Sequence, residues 1–120
     1  PTRIGMSEIT SERDVAYHLH VDPDEAPVAS LALRMLISDE AHEPQIRRLA
    51  REVLHQLAAE PGTDGILTVG LSPEQMKITH TAVRLLLNDL GREQDSERQI
   101  LWRILGKLPD EHAIRAIELG

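Results

Sequence analysis

The chain contains two similar segments that lie about fifty residues apart. Residues 21–39 read VDPDEAPVASLALRMLISD, and residues 71–89 read LSPEQMKITHTAVRLLLND. With the offset lengthened by one residue, the apolar positions of residues 49–57 also match those of residues 100–108. The identical pairs are Pro23 and Pro73, Ala32 and Ala82, Arg34 and Arg84, Leu36 and Leu86, and Asp39 and Asp89. Similarity over two consecutive segments predicts a duplicated helical hairpin.

Capping signals mark where the helices begin. The runs Asp22-Pro23-Asp24-Glu25 and Ser72-Pro73-Glu74-Gln75 each offer an N-cap side chain, a proline in the first turn and Glu or Gln at the third helical position. Pro27 lacks an N–H, so the first helix could instead begin there. Similar signals predict three further helices, starting at Glu43-Pro44, Asp95-Ser96 and Pro109-Asp110.

These elements predict an all-α fold, a compact bundle of five to six helices in one domain over residues 1–120. The internal repeats are assigned to residues 22–57 and 72–108, with a linker at 60–70 and a short terminal helix at 109–118. Because two repeats are too few for a solenoid, we expect a closed bundle with a pseudo-twofold axis.

Two short segments have a less regular pattern. The linker contains an apolar extended run at residues 66–69, between glycines. Residues 7–21 fit two structures, because residues 11–14 resemble a capping box whereas residues 15–21 alternate as a strand does. Of the two, the pattern favours a helix.

Composition narrows the classes of function. The absence of cysteine removes thiol nucleophiles, disulfides and iron–sulfur clusters, and it fits a cytoplasmic location. A net charge of −7, with 20 acidic and 13 basic residues, argues against nucleic acid as a partner, and no apolar run is long enough for a membrane span. Arginine supplies eleven of the basic residues, a bias typical of GC-rich bacterial genomes. The core must be aliphatic, since the chain has no Phe, one Trp and one Tyr, and it needs no cofactor.

One candidate metal site depends on the structure of residues 7–21. On a strand, His18, His20 and Asp22 would lie on one side, and two imidazoles with a carboxylate suit zinc. On a helix this alignment fails. The alternative is that these residues are surface histidines and a helix cap near the junction of two segments.

A polar stripe recurs in both repeats. In the second copy it includes His80 and Arg84, and in the first it includes Arg34. Arg34 with Asp39, and Arg84 with Asp89, lie five residues apart, which is too far around a helix for an i,i+4 ion pair. One hypothesis pairs them across the pseudo-twofold axis, Arg34 with Asp89 and Arg84 with Asp39. The alternative is a solvated arginine and an aspartate that caps the next turn.

Trp102 lies outside the apolar arc of its helix, near Leu105 and Arg98. Tryptophan is frequent among the residues that dominate protein interfaces, so these three residues form a candidate interaction surface. The alternative is that the fifth helix covers Trp102.

No motif for nucleophilic catalysis, phosphate binding or metal-dependent hydrolysis is present in the chain. The sequence therefore favours a non-catalytic interaction or regulatory module that binds a protein partner or self-associates as a homodimer, with neither nucleic acid nor membrane as partner. Two alternatives remain: a small metal-binding protein or metal-dependent enzyme that uses His18, His20 and Asp22, and a DNA-associated regulator with a helix–turn–helix in the second hairpin.

Overall fold

The structure is a computed structural model that describes residues 15–39 and 41–117. These residues form a two-stranded sheet and five α-helices, together with a short 3₁₀ turn at Arg92–Gln94 that precedes the fourth helix. The elements in chain order are β1 Tyr17–Val21, α1 Glu25–Ser38, α2 Pro44–Leu57, β2 Leu67–Leu71, α3 Pro73–Asp89, α4 Asp95–Lys107 and α5 Glu111–Arg115.

The fold is mostly helical, as predicted, but the sheet departs from the all-α class. β1 and β2 are antiparallel, with Tyr17 opposite Leu71 and Leu19 opposite Val69. The helix favoured for residues 7–21 is therefore wrong for residues 17–21, and residues 7–14 lie outside the described part of the chain. The strand forms because Leu19 and Val21 alternate with exposed histidines, and because β2 supplies hydrogen bonds that local pattern cannot reveal.

The starts of α3 and α5 form the side-chain caps that their sequence signals predict, whereas the N-cap residues of α1, α2 and α4 form no side-chain capping hydrogen bond. Ser72 Oγ accepts from Gln75 N at 3.1 Å while Gln75 Oε1 accepts from Ser72 N at 2.9 Å, so the predicted capping box of α3 is formed. At α1 a turn precedes the helix, and Glu25 Oε1 accepts from Asp22 N at 2.8 Å. Asp110 caps α5 by accepting from Ala113 N at 2.9 Å.

The core is aliphatic, and α1 and α3 lie at its centre. Ala32, Leu33 and Leu36 of α1 are buried together with Ala82 and Leu86 of α3. α2 packs against both central helices, as does α4, and each buries one face. In the described residues, no helix has the length and apolar character that crossing a membrane requires.

Candidate functional site

Helix α4 is held to the rest of the protein along one face. Leu101 and Ile104 are completely or almost completely buried in the core. At its first turn, Arg98 donates from one guanidinium nitrogen to Leu87 O at 3.1 Å and to Leu90 O at 3.4 Å. These carbonyls at the end of α3 lack helical partners, so a cation is favourable there. The predicted interface residue Arg98 thus fixes α4 against α3.

The other end of α4 is held by a cluster of charged groups. Glu25 is fully buried, yet its two carboxylate oxygens accept from Lys107 Nζ at 2.7 Å and from Arg103 Nε at 3.1 Å. Lys107 Nζ also donates to His20 O at 2.9 Å, and Tyr17 Oη donates to Lys107 O. With Asp22 N as a further donor, the Glu25 carboxylate accepts three hydrogen bonds, and both of its oxygens have partners. These contacts connect the start of α1 to α4, which is a structural role.

Arg103 forms a second ion pair at the surface. Its terminal nitrogen lies 2.7 Å from Asp24 Oδ2, and this hydrogen bond lowers the pKa of Asp24 below its ordinary value. The same bond raises the already high pKa of Arg103. Because the folded pKa of Asp24 lies below the unfolded one, the pair stabilises the fold above about pH 4 and is lost as the pH falls through the lowered pKa.

On the opposite side of α4, Trp102 projects into solvent. Its side chain is 53% exposed, so the alternative in which the fifth helix covers it is wrong. Leu105 beside it is half-buried, whereas Gly106, one turn along, is exposed.

In the part of the chain that the structure describes, Gly106 makes no close packing contact outside its own stretch of helix. A Cβ built on it would meet no atom within 4 Å apart from adjacent residues and nearby helical backbone, and its φ is not in the left-handed region. Glycine in an exposed helix costs up to about 1 kcal/mol relative to alanine. Trp102 and Gly106 thus form an apolar projection next to an open helical backbone.

We expect Gly106→Ala to raise the free energy of unfolding of the monomer by about 0.5 kcal/mol, because alanine fits the helical backbone and reduces the freedom of the unfolded chain. Urea unfolding at low protein concentration measures this. Destabilisation would mean that the space above Gly106 is occupied within the monomer.

The residues that could hold a metal ion are not the predicted set of His18, His20 and Asp22. His18 and His20 do lie on a strand and are exposed, and His20 Nδ1 lies 3.3 Å from Thr68 Oγ1. Among residues 15–39 and 41–117, the cluster of three side chains that could hold a metal is instead Asp22, Asp24 and Glu25, with ligand atoms within 4.8 Å of one another. Arg103 and Lys107 already supply positive charge to this cluster.

Because Arg103 and Lys107 already pair with these carboxylates, we expect millimolar EDTA to leave the melting temperature unchanged and elemental analysis to find no stoichiometric zinc. About one zinc per chain, lost in a variant with His18→Ala and His20→Ala, would revive the metal-binding alternative.

The residues of the polar stripe lie in different surroundings. Arg34 and Asp89 are exposed, whereas His80 and Arg84 are half-buried where α5 packs on α3. Asp39 accepts from Ala41 N at 3.0 Å and lies 3.4 Å from His42 Nε2, which is the capping role of the second alternative. The reciprocal pairing of Arg34 with Asp89 and Arg84 with Asp39 stays a prediction.

Sequence reasoning missed the charged cluster around Glu25. A signal was present, because Arg103 and Lys107 lie four residues apart on one side of α4 and Asp22, Asp24 and Glu25 form a compact acidic run. It could not be used without knowing that α4 packs next to α1.

The result is a helix held at both ends whose outer surface carries Trp102. An indole side chain has two rotatable bonds and loses little conformational freedom on binding, so such a surface suits protein association. Comparison of the chain with protein-family models, with curated proteins and with solved structures finds no match in any of the three.

Proposed function

We propose that this protein is a non-catalytic interaction module that self-associates through the outer face of α4. The observation that carries the proposal is Trp102, a large apolar side chain that is 53% exposed on a helix held at both ends. Leaving an indole in water has a cost that association removes, and tryptophan is enriched among the residues that dominate binding energy.

A second copy of the chain is the partner that this surface fits. If two α4 helices cross antiparallel through their solvent-facing sides, with a twofold axis at the level of Ile104 along the helix, Trp102 of each subunit lies opposite Gly106 of the other. The open space above Gly106 then receives the indole. Such an isologous contact is self-complementary, because one surface supplies both the projection and the recess.

The proposal includes a gene-level duplication of a strand–helix–helix unit. β1, α1 and α2 would correspond to β2, α3 and α4, with an offset of 50 residues for the strand and first helix and 51 for the second helix. The strand pairing is consistent with a twofold axis, because exchanging the copies turns the pair Tyr17–Leu71 into the pair Leu67–Val21, which is also formed.

Contacts between the halves support the same correspondence. Gln75 Nε2 donates to Glu52 Oε1 at 2.9 Å. The position equivalent to Gln75 is Glu25, and the position equivalent to Glu52 is Arg103. These two residues are also paired, with Arg103 Nε 3.1 Å from Glu25 Oε2. Likewise, Gln56 Nε2 donates to Gly70 O at 2.6 Å, as Lys107 Nζ donates to His20 O at 2.9 Å.

At the first of these equivalent contacts, the two copies carry side chains of different charge. The second copy has a neutral glutamine where the first has Glu25, and Glu52 stands where the other copy has Arg103. A charge change on both sides of one contact is what paired substitution after duplication produces. A bacterial, cytoplasmic origin belongs to the same proposal, on the composition alone.

We expect Trp102→Ala to weaken self-association by roughly 30-fold, equivalent to about 2 kcal/mol for a central anchor, without loss of helicity. Sedimentation velocity over a concentration series measures the effect. The matched control is Leu31→Ala on α1, which removes a side chain that is 46% exposed on another helix and should leave association unchanged.

Gly106→Leu supplies an independent check, because it fills the recess while retaining Trp102. Loss of the dimer in this variant supports the crossing at Ile104. A wild-type chain that stays monomeric at millimolar concentration would overturn self-association.

A further inference from the structure

An open groove lies at the junction of β1, α1 and α2. It encloses about 460 Å³, and its walls include Val21, Ala26, Pro27, Ser30, Leu57 and Pro61. These walls are mainly apolar, and Asp22 is among the lining residues. Its volume is in the range of sites that accept a ligand or a few side chains.

The equivalent face of the second copy is covered by α5. Lys77 and His80, which correspond to Pro27 and Ser30, are half-buried beside Ile114 and Arg115. Ile114 is 2% exposed, and Lys77 Nζ donates to Ile117 O at 2.6 Å. This face of the unit therefore packs against a short helix that carries Ile114 and against Ile117, which follows the helix.

Among residues 15–39 and 41–117, the first copy has no such covering helix. After α2 the described chain passes through residues 58–66 directly into β2. Pro27 and Leu31 are exposed, whereas the corresponding Lys77 and Thr81 are half-buried. The groove is thus the uncovered counterpart of a helix-binding face.

We infer that this groove binds a short, basic amphipathic helix from a partner protein. Charge favours this partner: the exposed Glu60 and Asp64 flank the lining residues Pro61 and Gly65. Asp22 also lines the groove, with Lys107 Nζ 3.6 Å from its carboxylate. A basic ligand would therefore complement the charge around the groove.

The same charges disfavour segments of this chain as the ligand. Residues 6–14 contain three acidic residues and one arginine, and residues 109–120 contain three acidic residues and one arginine besides a histidine. An acidic helix would bring like charges next to Asp22, Glu60 and Asp64. The inference rests on the proposed duplication, but not on self-association through Trp102.

The test uses a fluorescein-labelled peptide, PDQHAIRAIKLK, which is residues 109–120 with E111Q, E118K and G120K. Fluorescence polarisation with the whole chain should give saturable binding that weakens as salt increases. The unchanged acidic sequence PDEHAIRAIELG should bind at least roughly tenfold more weakly. Absence of saturable binding of the basic peptide at 0.5 mM protein, or equal affinity for both peptides, would overturn the inference.

Two variants locate the binding site. Ser30→Trp fills the groove and should reduce affinity at least roughly tenfold, and circular dichroism checks that the variant is folded. Glu60→Lys, at an exposed position, should lower the affinity for the basic peptide and raise the affinity for the acidic one. Trp102→Ala should bind the peptide normally even if it no longer dimerises. Unchanged binding to both groove variants would place the peptide elsewhere and contradict the inference.

Discussion

Glu25→Ala is expected to lower the free energy of unfolding by about 2–3 kcal/mol. Removing one member of a buried ion pair costs roughly 3–5 kcal/mol when the other stays buried, but Arg103 and Lys107 are 49% and 32% exposed and regain water. The lost acceptor for Asp22 N adds to the effect, since it closes the turn before α1. Urea unfolding at pH 7 measures the change.

Glu25→Gln is the matched variant. Glutamine keeps an acceptor for Asp22 N, as Gln75 does for Ser72 N, and removes only the charge. We expect it to lose less than half as much stability as the alanine variant. A neutral result for both variants would show that the contacts of Glu25 with α4 contribute nothing net to folding.

Leu19→Ala should destabilise the protein by about 2–4 kcal/mol, because this side chain is 4% exposed at the centre of β1, opposite Val69. The expected fall in melting temperature is on the order of 10 °C.

His20→Ala is the control for Leu19→Ala, since it changes the next residue of the same strand on its solvent side. If residues 17–21 form a strand, the losses in free energy of unfolding caused by the two substitutions should differ by more than about 1.5 kcal/mol. Similar losses in thermal unfolding would contradict the two-residue alternation of β1 and the register with β2.

The helices were predictable because their signals are local. Ser72 and Gln75 lie three residues apart, and their reciprocal hydrogen bonds need nothing beyond the first turn of α3. The strand β1 was not predictable in this way, because its partner β2 begins 46 residues after β1 ends, and no local pattern records that pairing. The helical alternative was favoured on a capping pattern at residues 11–14, which the structure does not describe.

The candidate site was predictable in one part only. Trp102 could be singled out from the helical projection of α4, because its angle to Ile100 and Ile104 depends only on sequence spacing. Whether α5 covered it depended on where the chain turns after Leu108, a tertiary question. For the same reason the projection of α3 left His80 and Arg84 in solvent, whereas α5 packs over them. Glu25 and Arg103 are 78 residues apart and become neighbours only in the fold.

The contacts of β1 with the end of α4 determine when folding can finish. Tyr17 and Lys107 are 90 residues apart, and His20 and Lys107 are 87 apart. Contacts at such separation slow folding, because a long loop must close before they contribute. During synthesis, the first strand and hairpin leave the ribosome long before their partners in β2 and α4. The nascent chain therefore exposes Leu19 and Val21 until residues near 107 have emerged, a period in which it is open to chaperones and to pairing with another copy.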